Sequence, residues 1–226
     1  MSGHLSSGER EFATLVAQLH ALEEDIGAAR DLAPRATSWC GLELHAHREP
    51  ARALHGERVT LADGAQIVIR PIEPEDLHEL AAAFEHLGAL SRFQRFGERM
   101  DHLTRRQLIE LTHADHESHE ALVALDARTG EGIGLARYVR ASDDPARARV
   151  TCTVIDPWQG RGVGTALVER LAARARAAGI DRCTATILVG NQPARRLLEH
   201  VVDETGAHRD AGMIEITAEA RRTTGT

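Results

Sequence analysis

The spacing of apolar residues changes several times along the chain, and each change predicts an element. From Ser7 to about Arg30, Phe12, Leu15, Val16, Leu19, Leu22 and Ile26 fall on one helical face. This predicts an amphipathic helix that docks on the main domain or on a second copy of itself, a route to a homodimer. Residues 31–57 lose that period and carry the breakers Pro34 and Pro50, so they read as irregular. Val59–Leu61 and Gln66–Arg70 then flank Ala62-Asp63-Gly64, a hairpin signal. Pro74-Glu75-Asp76 opens a helix bearing Leu77, Leu80, Ala81, Phe84 and Leu87, with acids at its positive end. A helix near Thr104–Thr112 follows, then strands Ala121–Asp126 and Ile133–Val139 joined at Thr129-Gly130-Glu131-Gly132. Strand Cys183–Val189, a helix opened by Asn191 and a last strand at Met213–Thr217 end the pattern. The tail, residues 219–226, reads as disordered.

Between these elements, Arg149 to Arg174 organises the rest. Val150, Cys152, Val154 and Ile155 read as a buried strand, and Asp156-Pro157-Trp158 as a turn. Gln159-Gly160-Arg161-Gly162-Val163-Gly164-Thr165 is a glycine cluster running into a helix whose apolar face is Val163, Ala166, Leu167, Val168, Leu171 and Ala175. A glycine-rich turn before a helix exposes backbone N–H groups at the positive end of the helix dipole, which suits a phosphate. Glycine at 162 and 164 lets backbone approach a pyrophosphate, and Arg161 can add charge-assisted hydrogen bonds.

A Walker loop requires lysine, and the chain contains none. A dinucleotide fingerprint requires glycine or alanine at position 165 and an acid closing the next strand. Thr165 and the early Asp181 do not supply them. The pattern Gln159-x-x-Gly162-x-Gly164, with the order β-α-α-β-β-β-α-β-α-β from about Arg58 to Thr217, resembles the GNAT superfamily of N-acetyltransferases. Ser91-Arg92-Phe93-Gln94-Arg95-Phe96 and Leu111-Thr112-His113-Ala114-Asp115-His116 resemble segments of the Pat-type bacterial protein lysine acetyltransferases. The resemblance implies an α/β fold of α+β type: a mixed central sheet with splayed strands, flanked by helices. It divides the chain into an N-terminal extension (1–57), an acetyltransferase domain (58–218) and the tail.

The resemblance also implies acetyl-CoA as co-substrate. Gln159, Gly160, Arg161, Gly162, Val163, Gly164 and Thr165 would hold its pyrophosphate, Val154 and Ile155 would pair with pantetheine, and Asn191 would reach the cofactor. Asn191 is also a good N-cap, with Pro193 in the first turn. The acceptor would be a protein or a small amine. Two family features are missing. The general-base glutamate of Pat-type enzymes falls at Arg149, and the tyrosine that protonates the leaving thiolate falls near Leu198. Asp101 and His102, in the loop that borders the acceptor site in this fold, are substitute candidates. A positioned base contributes roughly 10²–10⁴-fold. A lysine amine, with a pKa of about 10.4, needs that help more than an α-amine near 8. The chemistry therefore tilts towards a low-pKa amine, a substitute base, or no turnover. In the last case the domain would be a non-catalytic acyl-CoA sensor or interaction module.

Composition narrows the classes further. A net charge of −7 argues against nucleic-acid binding, and 42% hydrophobic residues call for a packed core. No apolar run is long enough to span a bilayer, and there is no signal-peptide pattern, so a cytoplasmic protein is expected. Cys40, Cys152 and Cys183 have no framework spacing, which fits a reducing compartment. Cys40, His45 and His47 suggest zinc, but lack a fourth ligand at regular spacing, so no metal is expected.

Overall fold

Alternating apolar positions become the two faces of one mixed sheet, in a computed structural model that describes residues 54–98, 100–210 and 213–220. The chain divides into two compact units, Met1–Arg48 and Glu49–Thr226, and the described residues belong to the second. The expected N-terminal helix, with Cys40, His45, His47 and the tail beyond Ala220, lies outside them.

The strands are β1 (Glu57–Thr60), β2 (Gln66–Pro71), β3 (His119–Asp126), β4 (Gly132–Arg140), β5 (Arg147–Val154), β6 (Arg182–Leu188), β7 (Val202–Asp210) and β8 (Met213–Ala220). They lie in the order β1-β2-β3-β4-β5-β6-β8-β7. Only the β5–β6 pairing is parallel. The helices are α1 (Leu77–Glu85), α2 (Ala89–Phe96), α3 (Arg105–Thr112), α4 (Val163–Ala177) and α5 (Gln192–Val201).

Period-two alternation sorts the side chains. Leu122, Ala124, Ala136, Tyr138 and Ala148 pack with Val163, Leu167 and Leu171 of α4. Ala121, Val123, Leu125 and Leu135 point the other way and pack with Leu111 of α3. Leu167 is fully buried, and burial of a side chain of this size contributes about 1.5–3 kcal/mol. Beside α1, Arg70 donates two hydrogen bonds of 2.6 Å to the Asp76 carboxylate, and both side chains are buried.

Two elements differ from expectation. Ala89–Phe96 is a helix, closed by Gly97 in the left-handed conformation, where only the family segment had been read. Residues 202–210 form β7, although their polar sequence carries no alternation. Its ladder with β8, shifted in register between Glu204 and Gly206, supplies the order that side-chain pattern does not.

Candidate active site

β5 and β6 pair at three rungs only, Arg147–Arg182, Ala148–Cys183 and Arg149–Thr184. Past Arg149 they part. Each stays anchored on its outer side, β5 to β4 through Val154 and β6 to β8 through Leu188. The Ile155 amide donates to the Ile133 carbonyl at 3.0 Å on the β4 side. Strand alternation therefore turns the backbone groups of Val154 and Cys152, and the carbonyl of Val150, towards the gap.

The glycine loop lies on the α4 face at the open end of this gap. Gly162 is the N-cap of α4 with φ of 95°, a conformation that costs other residues about 1–2 kcal/mol, and it has no side chain to cap the helix. The amides of Val163, Gly164 and Thr165 have no intrahelical acceptor, by the geometry of a first turn. A Cβ at Gly164 would come within 3.3 Å of Leu197 Cδ2, 3.7 Å of Val154 Cγ2 and 3.9 Å of Cys152 Sγ. Gly164 thus lets α4 pack closely against Leu197 of α5 and Val154 of β5. Val163 itself is buried, so only its backbone is available.

The other expected site residues divide into those facing the gap and those already engaged. Gln159 Nε2 donates to the Val154 carbonyl (3.0 Å), Asp156 Oδ1 (3.0 Å) and Ser91 Oγ (3.2 Å), locking the loop to β5 and α2. Arg161 stacks over Trp158 at 4.0 Å and donates to Asp63 at 2.6 Å, so its side chain is committed within the protein. Gly160 adopts φ of 70°, with open space where a Cβ would be. Ile155 spends its amide on β4, as described. Asn191 Oδ1 accepts the Ala194 amide at 3.2 Å and caps α5.

On the α3 face, over the last shared rung, is a cavity of about 620 Å³. Arg95 enters it from α2, Glu110 from α3, Arg137 from β4, Arg149 and Thr151 from β5, Thr184 from β6 and Glu215 from β8. Asp101 and His102 are exposed and absent from its lining. The Asp101 carbonyl instead accepts from Arg92 at 2.7 Å. Tyr138, buried on the α4 face, does not reach the cavity, and burial pushes its phenol upward. Glu110 and Glu215 were missed because a search for carboxylates along β5 alone cannot see what α3 and β8 bring to the same place.

The family segments also acquire physical roles. Arg92 clamps Leu87 and Asp101 carbonyls and lies 4.3 Å over Phe84, whereas Arg95 continues into the cavity. The Asp115 carboxylate accepts from Ser118 Oγ and from the amides of Glu117, Ser118 and His119, closing the turn into β3. These bonds, the Ser118 hydroxyl first, hold its pKa well below the usual carboxylate range. Cys152 is pushed up to about 12 by burial, so its thiol is inert at neutral pH.

A splayed parallel pair thus has a glycine loop on one face and a polar cavity on the other. Residues 66–201 match the Acetyltransferase (GNAT) domain family, and the chain belongs to that family, whose acetyl donor is acetyl-CoA. The acetyltransferase Pat of Mycolicibacterium smegmatis is 28% identical over 63% of this chain, and the chain spans 43% of that protein's length. The GNAT domain of S. lividans PAT superposes with a TM-score of 0.67 at 29% identity, covering 72% of this chain and 96% of that domain. A Salmonella typhimurium acetyltransferase solved with acetyl-CoA shares the fold, with a TM-score of 0.56 at 18% identity and coverage of 69% and 93%. Among the described residues no helix is long and apolar enough to cross a membrane, and no group of three or more His, Cys, Asp or Glu is placed to hold a metal.

Proposed function

We propose that this chain transfers an acetyl group from acetyl-CoA to an amine bound in the cavity on the α3 face. The parting of β5 and β6 after Arg149 and Thr184, between the glycine loop and the cavity, carries this reading. Acetyl-CoA supplies an activated thioester. The amides of Gly162, Val163, Gly164 and Thr165 hold its pyrophosphate, with the helix dipole adding to the attraction. From Val154 to Arg149 the strand runs five steps, roughly 17 Å, along which the open backbone groups of β5 bind the pantetheine arm. A β5 amide facing the gap polarises the thioester carbonyl, and the cavity aligns the amine for direct attack. Glu215 is the residue we assign to take the amine proton. The two free cysteines among the described residues suit a reducing compartment, and we read the protein as cytoplasmic.

Arg149 at the position of the family's glutamate favours a second reading, an acyl-CoA-binding sensor without turnover. Calorimetric titration with acetyl-CoA and release of free CoA thiol across an amine panel, each beside Gly162→Asp, separates the two. Transfer predicts binding and thiol release that are both lost in the variant. Binding without release for any amine would leave the sensor. No binding would remove the cofactor site itself.

A further inference from the structure

Five arginines and three carboxylates line the cavity, in a chain whose overall charge is −7. The positive excess is therefore local. Two of the arginines are already occupied. Arg147 donates to both Asp143 oxygens at 2.8 and 2.7 Å, and Arg140 donates to the carbonyls of Pro145 and Ala178. The other three are not so matched. Arg137, 13% exposed, has Glu110 as its nearest carboxylate at 3.9 Å, beyond hydrogen-bond length. Arg95 lies over the Phe96 ring at 4.9 Å, and neither it nor Arg149 makes a hydrogen bond or ion pair among the described residues.

A guanidinium withdrawn from water without a partner is costly unless an anion restores the lost interactions. Burial, with the Arg137 charge adding to it, pushes Arg95 down to about 10, and burial lowers Arg137 as well; the Glu110 carboxylate opposes both shifts without cancelling them. Both remain cationic at neutral pH. They enter from different elements, Arg95 from α2 and Arg137 from β4, while Arg149 stands on β5 directly opposite Val139. Guanidinium groups of this kind match a carboxylate, which each can bind in a bidentate fork.

Building on the acetyl-transfer reading, we infer that the acceptor is a small amine carrying a carboxylate, of the free amino-acid class. Arg95, Arg137 and Arg149 hold the carboxylate, and the amine is left towards Glu215. A volume of about 620 Å³ suits a small molecule. A cationic lysine side chain would meet like charge at Arg149, where the related enzymes place a carboxylate. An α-amine, with a pKa of about 8, has a far larger neutral fraction at pH 7 than a lysine near 10.4, so it depends less on that missing base. In the reaction the amine nitrogen forms the bond to the acetyl carbon and the carbon–sulfur bond breaks. The proton lost by the amine ends on the CoA thiol.

The test is thiol release by the full chain with acetyl-CoA, offering common α-amino acids, their carboxamides and lysine peptides with blocked termini. The carboxamides keep the α-amine and lose the anion. Amino acids are expected to show kcat/KM at least about tenfold above the other two groups. Arg149→Gln and Arg95→Gln should raise the amino-acid KM about tenfold or more and erase the preference over carboxamides, with the KM for acetyl-CoA unchanged. Arg149→Lys should retain part of it. Arg149 is exposed, so its substitution leaves the core intact. Equal use of carboxamides, or a preference for lysine peptides, overturns the anionic acceptor while leaving acetyl transfer in place. Should no amine be turned over, acetyl transfer falls, and titration of glutamate against glutamate diamide into CoA-loaded protein decides the remainder. Saturable binding of glutamate alone, weakened in Arg149→Gln, supports the carboxylate site, and absence of binding overturns it.

Discussion

Arg149 of β5 stands beside Thr184 of β6 at the last rung the two strands share, and the opening of the sheet follows from that one position. Beyond it β5 is held only by β4 and β6 only by β8. The gap is thus a fixed feature of the sheet and leaves strand backbone groups without a ladder partner. Such groups gain when a ligand pairs with them, because an unsatisfied buried amide costs about 1–3 kcal/mol.

This arrangement predicts a residue-by-residue pattern of hydrogen exchange. Amides of Cys152 and Val154 should become protected on adding acetyl-CoA, whereas Thr151 and Thr153, which face β4, and Val150, whose amide completes the last rung with Thr184, should be slow already. At 100 times its Kd the ligand should add about 2.7 kcal/mol, or roughly 5–10 °C in Tm for a domain of this size. Mass-spectrometric or NMR exchange and a thermal melt check both. Equal protection along all five residues would contradict a gap that opens after Arg149.

Much of this was legible in the sequence, for identifiable reasons. The helical period in Val163, Ala166, Leu167, Val168, Leu171 and Ala175 names the buried face of α4 residue for residue, since a single long helix against a sheet obeys one rule. The hairpin at Asp63-Gly64 and the Asn191 cap were equally local signals, and both take their expected form. α2 was not legible because its face is divided among tasks. Ser91 ties the glycine loop, Arg92 clamps backbone carbonyls, Arg95 enters the cavity and Phe96 packs on Phe84. Nor could spacing reveal the cavity carboxylates. Glu110 and Glu215 are far apart in the chain and meet only through the order of the strands.

Cys152 tests whether transfer is direct. Its sulfur lies 3.9 Å from where a Gly164 Cβ would stand, beside the glycine loop, yet burial raises its pKa to about 12. A thiol this far above neutrality supplies almost no thiolate to accept an acyl group. Cys152→Ala should keep kcat within a few-fold, with sequential rather than ping-pong kinetics, because the strand backbone is unchanged. In a Cys40→Ser background, Cys152 and Cys183 should resist thiol reagents at pH 8 until the protein unfolds. Loss of turnover with trapping of an acetylated Cys152 would replace direct attack by a two-step route.

His119 couples stability to pH. Its Nε2 is buried without a hydrogen-bond partner, and burial, then the nearby Arg137 charge, lowers its pKa. The folded state therefore binds a proton less readily than the unfolded chain. The stability that His119 contributes is complete above the unfolded value, about 6.5, and is lost as pH falls through the lower folded value. Urea titrations should show the free energy of unfolding declining below about pH 6.5, with a smaller slope in His119→Phe. An unchanged slope would assign the acid sensitivity to other groups.

The proton acceptor is the last step that the geometry constrains. Two carboxylates in the cavity compete for the role beside Asp143, which Arg147 occupies. Glu110 lies on α3 and is drawn towards Arg137 at 3.9 Å. Glu215 makes no ion pair among the described residues. It stands opposite Thr186 of β6, two residues beyond the last shared rung, and one strand spacing of roughly 5 Å from the edge of the gap. A base needs a free lone pair within reach of the reacting nitrogen, and Glu215 meets both conditions better. Glu215→Gln should lower kcat/KM about 10²–10⁴-fold with acetyl-CoA affinity unchanged, and the loss should shrink as pH rises towards the pKa of the amine. Glu110→Gln should alter KM for the acceptor more than kcat, since it releases Arg137. If Glu215→Gln retains full activity and Glu110→Gln shows the pH-dependent loss instead, the proton leaves towards α3.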